Sequence, residues 1–175
     1  MSYIIVAVIF LALWHFVYDG IILPSLRLML RNRLFKIRDR LRMHKIKSGS
    51  KTNISAFNIV HSGINNLISR LPYLDLKVMR DIEQEVDHNP ELLHKVKKRI
   101  ETINECEDEE LKEIFRQANL VVGLAFVVNS GAWLIYLIPV AIVLASIQKL
   151  NFFAKEFVVL PESKTTEFIP TQKMA

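Results

Sequence analysis

Two long apolar stretches, one on each side of a strongly charged middle, constrain this chain more than any other feature. The first is Tyr3-Ile-Ile-Val-Ala-Val-Ile-Phe-Leu-Ala-Leu-Trp-His-Phe-Val-Tyr18, which continues past Asp19-Gly20 into Ile21-Ile22-Leu23. The second runs from Leu120 to Ile147 without one charged side chain, while residues 24–119 carry 33 of the 41 charged groups. Soluble domains intersperse apolar residues so that they converge on one core. Contiguous blocks of this length instead match a hydrocarbon layer of roughly 30 Å, which ~20 helical residues cross. The pattern predicts an all-α integral membrane protein with two antiparallel transmembrane helices, residues 1–23 and 120–147, and a small helical bundle between them.

The first block reads as an uncleaved anchor, because Met1-Ser2 lacks a basic side chain and Trp14, Phe16 and Tyr18 crowd any cleavage position. As a helix the second block would be about 42 Å long, more than one crossing needs and too little for two. A re-entrant turn at Asn129-Ser130-Gly131 would leave flanks of 9 and 16 residues, so a single tilted helix kinked at Pro139 is preferred. Basic charge sets the orientation. Residues 24–51 hold ten Lys or Arg against one acid, Asp39. The positive-inside rule then places 24–119 in the cytoplasm and both termini outside, with 148–175 as a short, flexible extracytoplasmic tail. Phe152, Phe153 and Phe157 are expected at the outer interface, and Ala141 and Ala145 offer a small-residue helix contact.

Residues 24–47 read as a basic amphipathic juxtamembrane helix. Leu26, Leu30, Leu34, Ile37 and Leu41 share one face, and Arg27, Arg31, Arg38 and Arg42 form a ribbon beside it. Its leucines either continue into the cytoplasmic bundle or lie in the acyl boundary. In the second case the four arginines contact phosphates of anionic inner-leaflet lipid. Nucleic-acid binding is disfavoured, since the ribbon lacks interleaved aromatics and a reading motif. Residues 52–119 then form the cytoplasmic helical domain. Thr52 or Asn53 caps a helix with Phe57, Val60, Ile64, Leu67 and Leu71 inward, ending before Pro72. Asp75 caps a second, with Val78, Met79, Ile82 and Val86 inward. Asn89-Pro90-Glu91 starts a third, with Leu93, Val96, Ile100 and Ile103 inward. Acids from Glu105 to Glu110 suit the start of a fourth. A core this modest makes self-association an expectation.

Candidate chemistry is sparse. Glu85-Val-Asp-His88 and Glu91-Leu-Leu-His94 repeat a Glu-x-x-His spacing used in di-iron bundles. Here the copies flank the Asn89-Pro90 break instead of sitting mid-helix, so Glu85, His88, Glu91 and His94 are weighed as metal ligands and set aside. No metal or cofactor is expected. Cys106 lies among acids that would raise its pKa, and no nucleophile elbow, P-loop or zinc spacing occurs, so the chain is not expected to be an enzyme. Within the two spans, His15 and Asn129 fall at matching depth and are expected to pair across the helices. The composite expectation is a non-enzymatic, membrane-anchored helical interaction or scaffold protein. It would self-assemble, contact anionic lipid and recruit an unidentified cytoplasmic protein. The alternative is an oligomeric pore or transporter subunit gated by that domain, with His15 and Asn129 on the path.

Overall fold

One unbroken helix of 46 residues, Tyr3–Ser48, is the spine of the molecule. The computed structural model describes residues 2–49, 53–137 and 154–169, and every regular element among them is helical. The spine comprises α1 (Ser2–Val17), a π-turn at Tyr18–Ile22 and α2 (Leu23–Ser48). Pro24 lies inside this continuous helix, where it has no N–H to give the preceding turn, and the π-turn sits directly ahead of it. Gly49, with φ +55°, ends α2 in the left-handed region that favours glycine. The chain continues through α3 (Ile54–Arg70), a 3₁₀ turn at Leu71–Tyr73, α4 (Leu76–His88), α5 (Pro90–Asn104), α6 (Glu109–Leu137), a helical segment at 154–159, and α7 (Glu162–Phe168).

Local chemistry sets these boundaries. Asn53, Asp75 and Asn89 each accept a hydrogen bond from a backbone N–H three residues on, at 3.0, 2.9 and 3.1 Å. Such caps each contribute about 1 kcal/mol. Of the two candidates for the first cap, Asn53 does the capping; Thr52 lies outside the described residues. α3 gives way to the 3₁₀ turn at Pro72, as the proline requires.

Helix α1 is exposed along its apolar length, with Tyr3, Phe10 and Phe16 among its most open side chains. The spine that it begins is the one helix among the described residues that is long and apolar enough to cross a membrane. Helix α2 is different: Leu30, Leu34, Ile37 and Leu41 are buried in a core shared with α3 and α6. Its leucine face therefore packs on protein, and the reading in which it lies in an acyl boundary does not hold.

Two further expectations meet the structure in part. Val121, Val122, Ala125 and Phe126, at the start of the expected second span, are fully buried in that same core. Protein covers this face of the segment, while Leu120, Leu124 and Val127 on its other face are exposed. The remainder from residue 138, including Pro139, Ala141 and Ala145, lies outside the described residues, as do Phe152 and Phe153. The expected extracytoplasmic tail also packs inward. Ala154, Phe157, Val158, Val159, Leu160 and Ile169 are buried in the core, and Phe157 meets Phe126 edge-on at 6.3 Å. Segment 154–169 is thus a strap across the helical domain. It packs on α3 and α6, the domain from which the two-span expectation separates it.

Candidate functional site

The sequence-derived polar pair resolves into a different arrangement. Asn129 sits on α6 beside the 3₁₀ turn, and its amide is filled there. Oδ1 accepts from Arg27 Nε at 2.8 Å, while Nδ2 donates to the carbonyls of Leu71 and Leu74 at 2.8 and 2.9 Å. Arg27 Nη2 donates in addition to the Pro72 carbonyl at 3.1 Å, and Ser130 Oγ accepts from Leu76 N–H at 3.2 Å. These groups satisfy the backbone that Pro72 turns away from regular helix, and buried backbone polar groups need such partners. The expected His15–Asn129 pair gives way to Arg27–Asn129, because Asn129 lies opposite α2 and the turn. His15 Nδ1 is 3.9 Å from Asp19 on its own helix.

Helix α6 is tied to the spine at the π-turn and again near the end of α2. Tyr18 Oη donates to the Val128 carbonyl at 2.7 Å, next to Gly131. At the far end, His44 Nε2 is 2.6 Å from Asp108 and Nδ1 is 3.0 Å from Glu110, while Arg40 Nε donates to Glu110 at 3.2 Å. Asp108 also caps α6 through Leu111 N–H. Burial pushes the Asp108 carboxyl up, but hydrogen bonds from His44 and the Leu111 and Glu110 amides outweigh this and leave it below the ordinary range. About 27 Å of helix separates Glu110 from Val128. Held at both points, α6 splints the spine from the π-turn to the end of α2.

The four ribbon arginines divide. Arg27 turns inward to Asn129, as above. Arg31 and Arg38 lie over the Phe35 ring, 5.8 and 4.9 Å from its centroid, and Arg42 Nε points at His61 Nε2 at 3.4 Å. Lys45 Nζ lies 4.2 Å over the Phe57 ring, which stacks on His61 at 5.5 Å. Cations over aromatic faces are worth about 0.5–1 kcal/mol at exposed sites. The α2–α3 side of the molecule is therefore a row of cations interleaved with Phe35 and Phe57. The expectation of a ribbon without interleaved aromatics is thus corrected: Phe35 sits between Arg31 and Arg38 on α2 itself, and Phe57 reaches the row from α3. The His61 imidazole is held below its ordinary value, first by burial and then by Arg42, Arg38 and Lys45.

Glu85, His88, Glu91 and His94 have other surroundings. Glu85 pairs with Lys164 at 3.3 Å, Glu91 with Lys95 at 2.6 Å, and His88 Nδ1 lies 2.7 Å from the Gln84 carbonyl; His94 is exposed. Among the described residues no three His, Cys, Asp or Glu side chains converge as metal ligands.

Other functional-looking groups hold the strap. Arg70, almost fully buried, donates to the Ile169 carbonyl at 3.0 Å, Thr166 Oγ1 at 2.9 Å and Asn66 Oδ1 at 3.0 Å. Arg99 Nη1 donates to the Val159 carbonyl at 2.9 Å. Within the strap, Glu156 is buried, and its carboxyl is pushed up to about 7 by burial and by Asp87 and Glu83, against the opposing pull of Lys97. Comparison of the chain with protein-family models, curated proteins and solved structures finds no match.

Proposed function

We propose that the chain is a non-enzymatic, membrane-anchored helical scaffold. Helix α1 holds it in a bilayer, and the helical domain stands off that bilayer to present an interaction surface to a partner. The observation that carries this reading is the splint. Tyr18–Val128 within α6 and His44–Asp108 at its start fasten the domain to the spine that continues α1. An anchor joined through a flexible linker would leave the domain's orientation free. A splinted one conveys position and orientation. The alternative of a gated pore drew on the His15–Asn129 pair, and Asn129 is occupied by Arg27, Leu71 and Leu74. Self-association through the exposed apolar surface of α1 remains part of the proposal.

In this reading the chain has its amino terminus on one side of the membrane, with the helical domain and the strap together on the other. The test uses single cysteines at Ser2, Lys97 and Ser163 in a Cys106→Ala background, within membrane vesicles of known sidedness. The thiols at 97 and 163 are expected to react with an impermeant maleimide from the same side, and that at 2 from the opposite side. Reaction of 97 and 163 from opposite sides would overturn the arrangement. Extraction of the protein by alkaline carbonate would overturn the anchor.

A further inference from the structure

Arg31, Arg38, Arg42, Lys45 and His61 share one face of the α2–α3 pair. Among the described residues, Asp39, 3.5 Å from Arg38 Nε, is the one carboxylate within ion-pairing distance of them. Arg38 Nε is itself buried with no hydrogen-bond acceptor among the described residues. We propose that this face docks an acidic, extended segment of a partner protein, whose carboxylates meet the guanidinium groups of Arg31, Arg38 and Arg42. The proposal rests on the anchored reading above and supplies the partner's chemistry.

Three observations favour carboxylates of a protein over other anions. The first is distance from lipid. With α2 continuing α1 in one unbroken helix, Arg38, Arg42 and Lys45 stand about 22, 28 and 33 Å beyond Leu23. The surface potential of an anionic leaflet decays within a Debye length, about 8 Å at physiological salt. The second is the state of the aromatic rings. Phe35 is covered by Arg31 and Arg38, and Phe57 is covered by Lys45 and His61, so neither offers a face on which a nucleobase could stack. The third is shape. The cations follow one helix over about 21 Å and are bordered by exposed Asp39, which suits a single extended chain better than a duplex. Guanidinium forks donate to carboxylates in bidentate pairs, the geometry that a chain of glutamate or aspartate side chains supplies.

The experiment uses the full chain in nanodiscs of zwitterionic phosphatidylcholine and a fluorescent glutamate dodecamer as probe, read by anisotropy. Retention of the protein in the disc, scored before any probe is added, separates failure of the anchor from failure of this proposal. The peptide is expected to bind in a salt-dependent manner. R38Q/R42Q/K45Q is expected to weaken it about tenfold or more, while R33Q/K36Q/K47Q, which removes equal charge elsewhere on α2, changes it less than about twofold. Equal losses from the two triple variants, or no peptide binding, would overturn the proposal. Tighter binding of a single-stranded DNA dodecamer through the same residues would assign the face to nucleic acid. Displacement of the peptide on adding phosphatidylserine to the disc would assign it to lipid.

Discussion

Arg27 and Asn129, 102 positions apart in the chain, meet through a 2.8 Å hydrogen bond where the spine passes the 3₁₀ turn. Neither can be replaced without stranding the other's neighbours. Asn129→Leu removes the acceptor for Arg27 and the donor to two carbonyls. We expect a local loss of about 2 kcal/mol, read as a roughly thirtyfold fall in amide-exchange protection around Leu76. Arg27→Met should cost less, and the double variant should fall short of the sum by about 1 kcal/mol. Strict additivity would show that the two do not act together.

Gly131 is the point where α6 leaves room for Tyr18. A Cβ on Gly131 would lie 2.0 Å from the Tyr18 hydroxyl oxygen, so Gly131→Ala must displace the ring and break its bond to Val128. Tyr18→Phe removes only the hydroxyl, at about 1 kcal/mol. Gly131→Ala is therefore expected to lower the melting temperature in detergent more than Tyr18→Phe does. Adding Tyr18→Ala to Gly131→Ala should recover part of the loss. Trp14 stacks on Tyr18 at 6.2 Å, so its fluorescence should move with the ring.

The strap meets α3 at Gly63, where a Cβ would lie 2.2 Å from the Val158 carbonyl oxygen. Backbone cannot yield as a side-chain tip can. Gly63→Ala should loosen 154–169 while leaving α2 and α6 in place. Limited proteolysis is the measurement: cleavage within the strap should rise several-fold, with the 109–137 region still protected. Unchanged strap cleavage would mean that the Val158 backbone is not held against α3.

Glu156 gives strap docking a pH dependence of definite sign. Its carboxyl rises from the ordinary 4.5 to about 7 on docking, so the docked state holds a proton that the released state gives up. Docking is unaffected below about pH 4.5, weakens as pH rises from there to about 7, and levels off above. The full span is on the order of 2–3 kcal/mol. Amide exchange in 155–160 should be faster at pH 8 than at pH 5 after correction for the intrinsic rate. Glu156→Gln should flatten that difference.

Much of the helical domain was legible because its cues are local. Asn53, Asp75 and Asn89-Pro90 cap helices through their own side chains, and the inward spacing of Phe57, Val60, Ile64 and Leu67 needs only the helical period. The second apolar block was legible as apolar but not in what covers it. Val121, Val122, Ala125 and Phe126 are equally apolar whether lipid or protein covers them, and hydropathy does not say which. The strap was missed because its partners are cations on other helices. Arg70 and Arg99 look like surface charge in sequence, yet they donate to the Ile169 and Val159 carbonyls. Phe57 joins the cationic face only once α3 folds back along α2, whereas Phe35 stands between Arg31 and Arg38 on α2 itself and was open to the helical spacing.

The π-turn at Tyr18–Ile22 interrupts the hydrogen-bond pattern of the spine without interrupting the spine. Any rotation of α1 about its axis is therefore a rotation of the whole domain. One residue added to α1 ahead of Trp14 would swing the cationic face about 100° around the axis of the spine and raise it about 1.5 Å, relative to anything gripping Tyr3–Leu13. The number of residues in α1 is, for this protein, a compass setting.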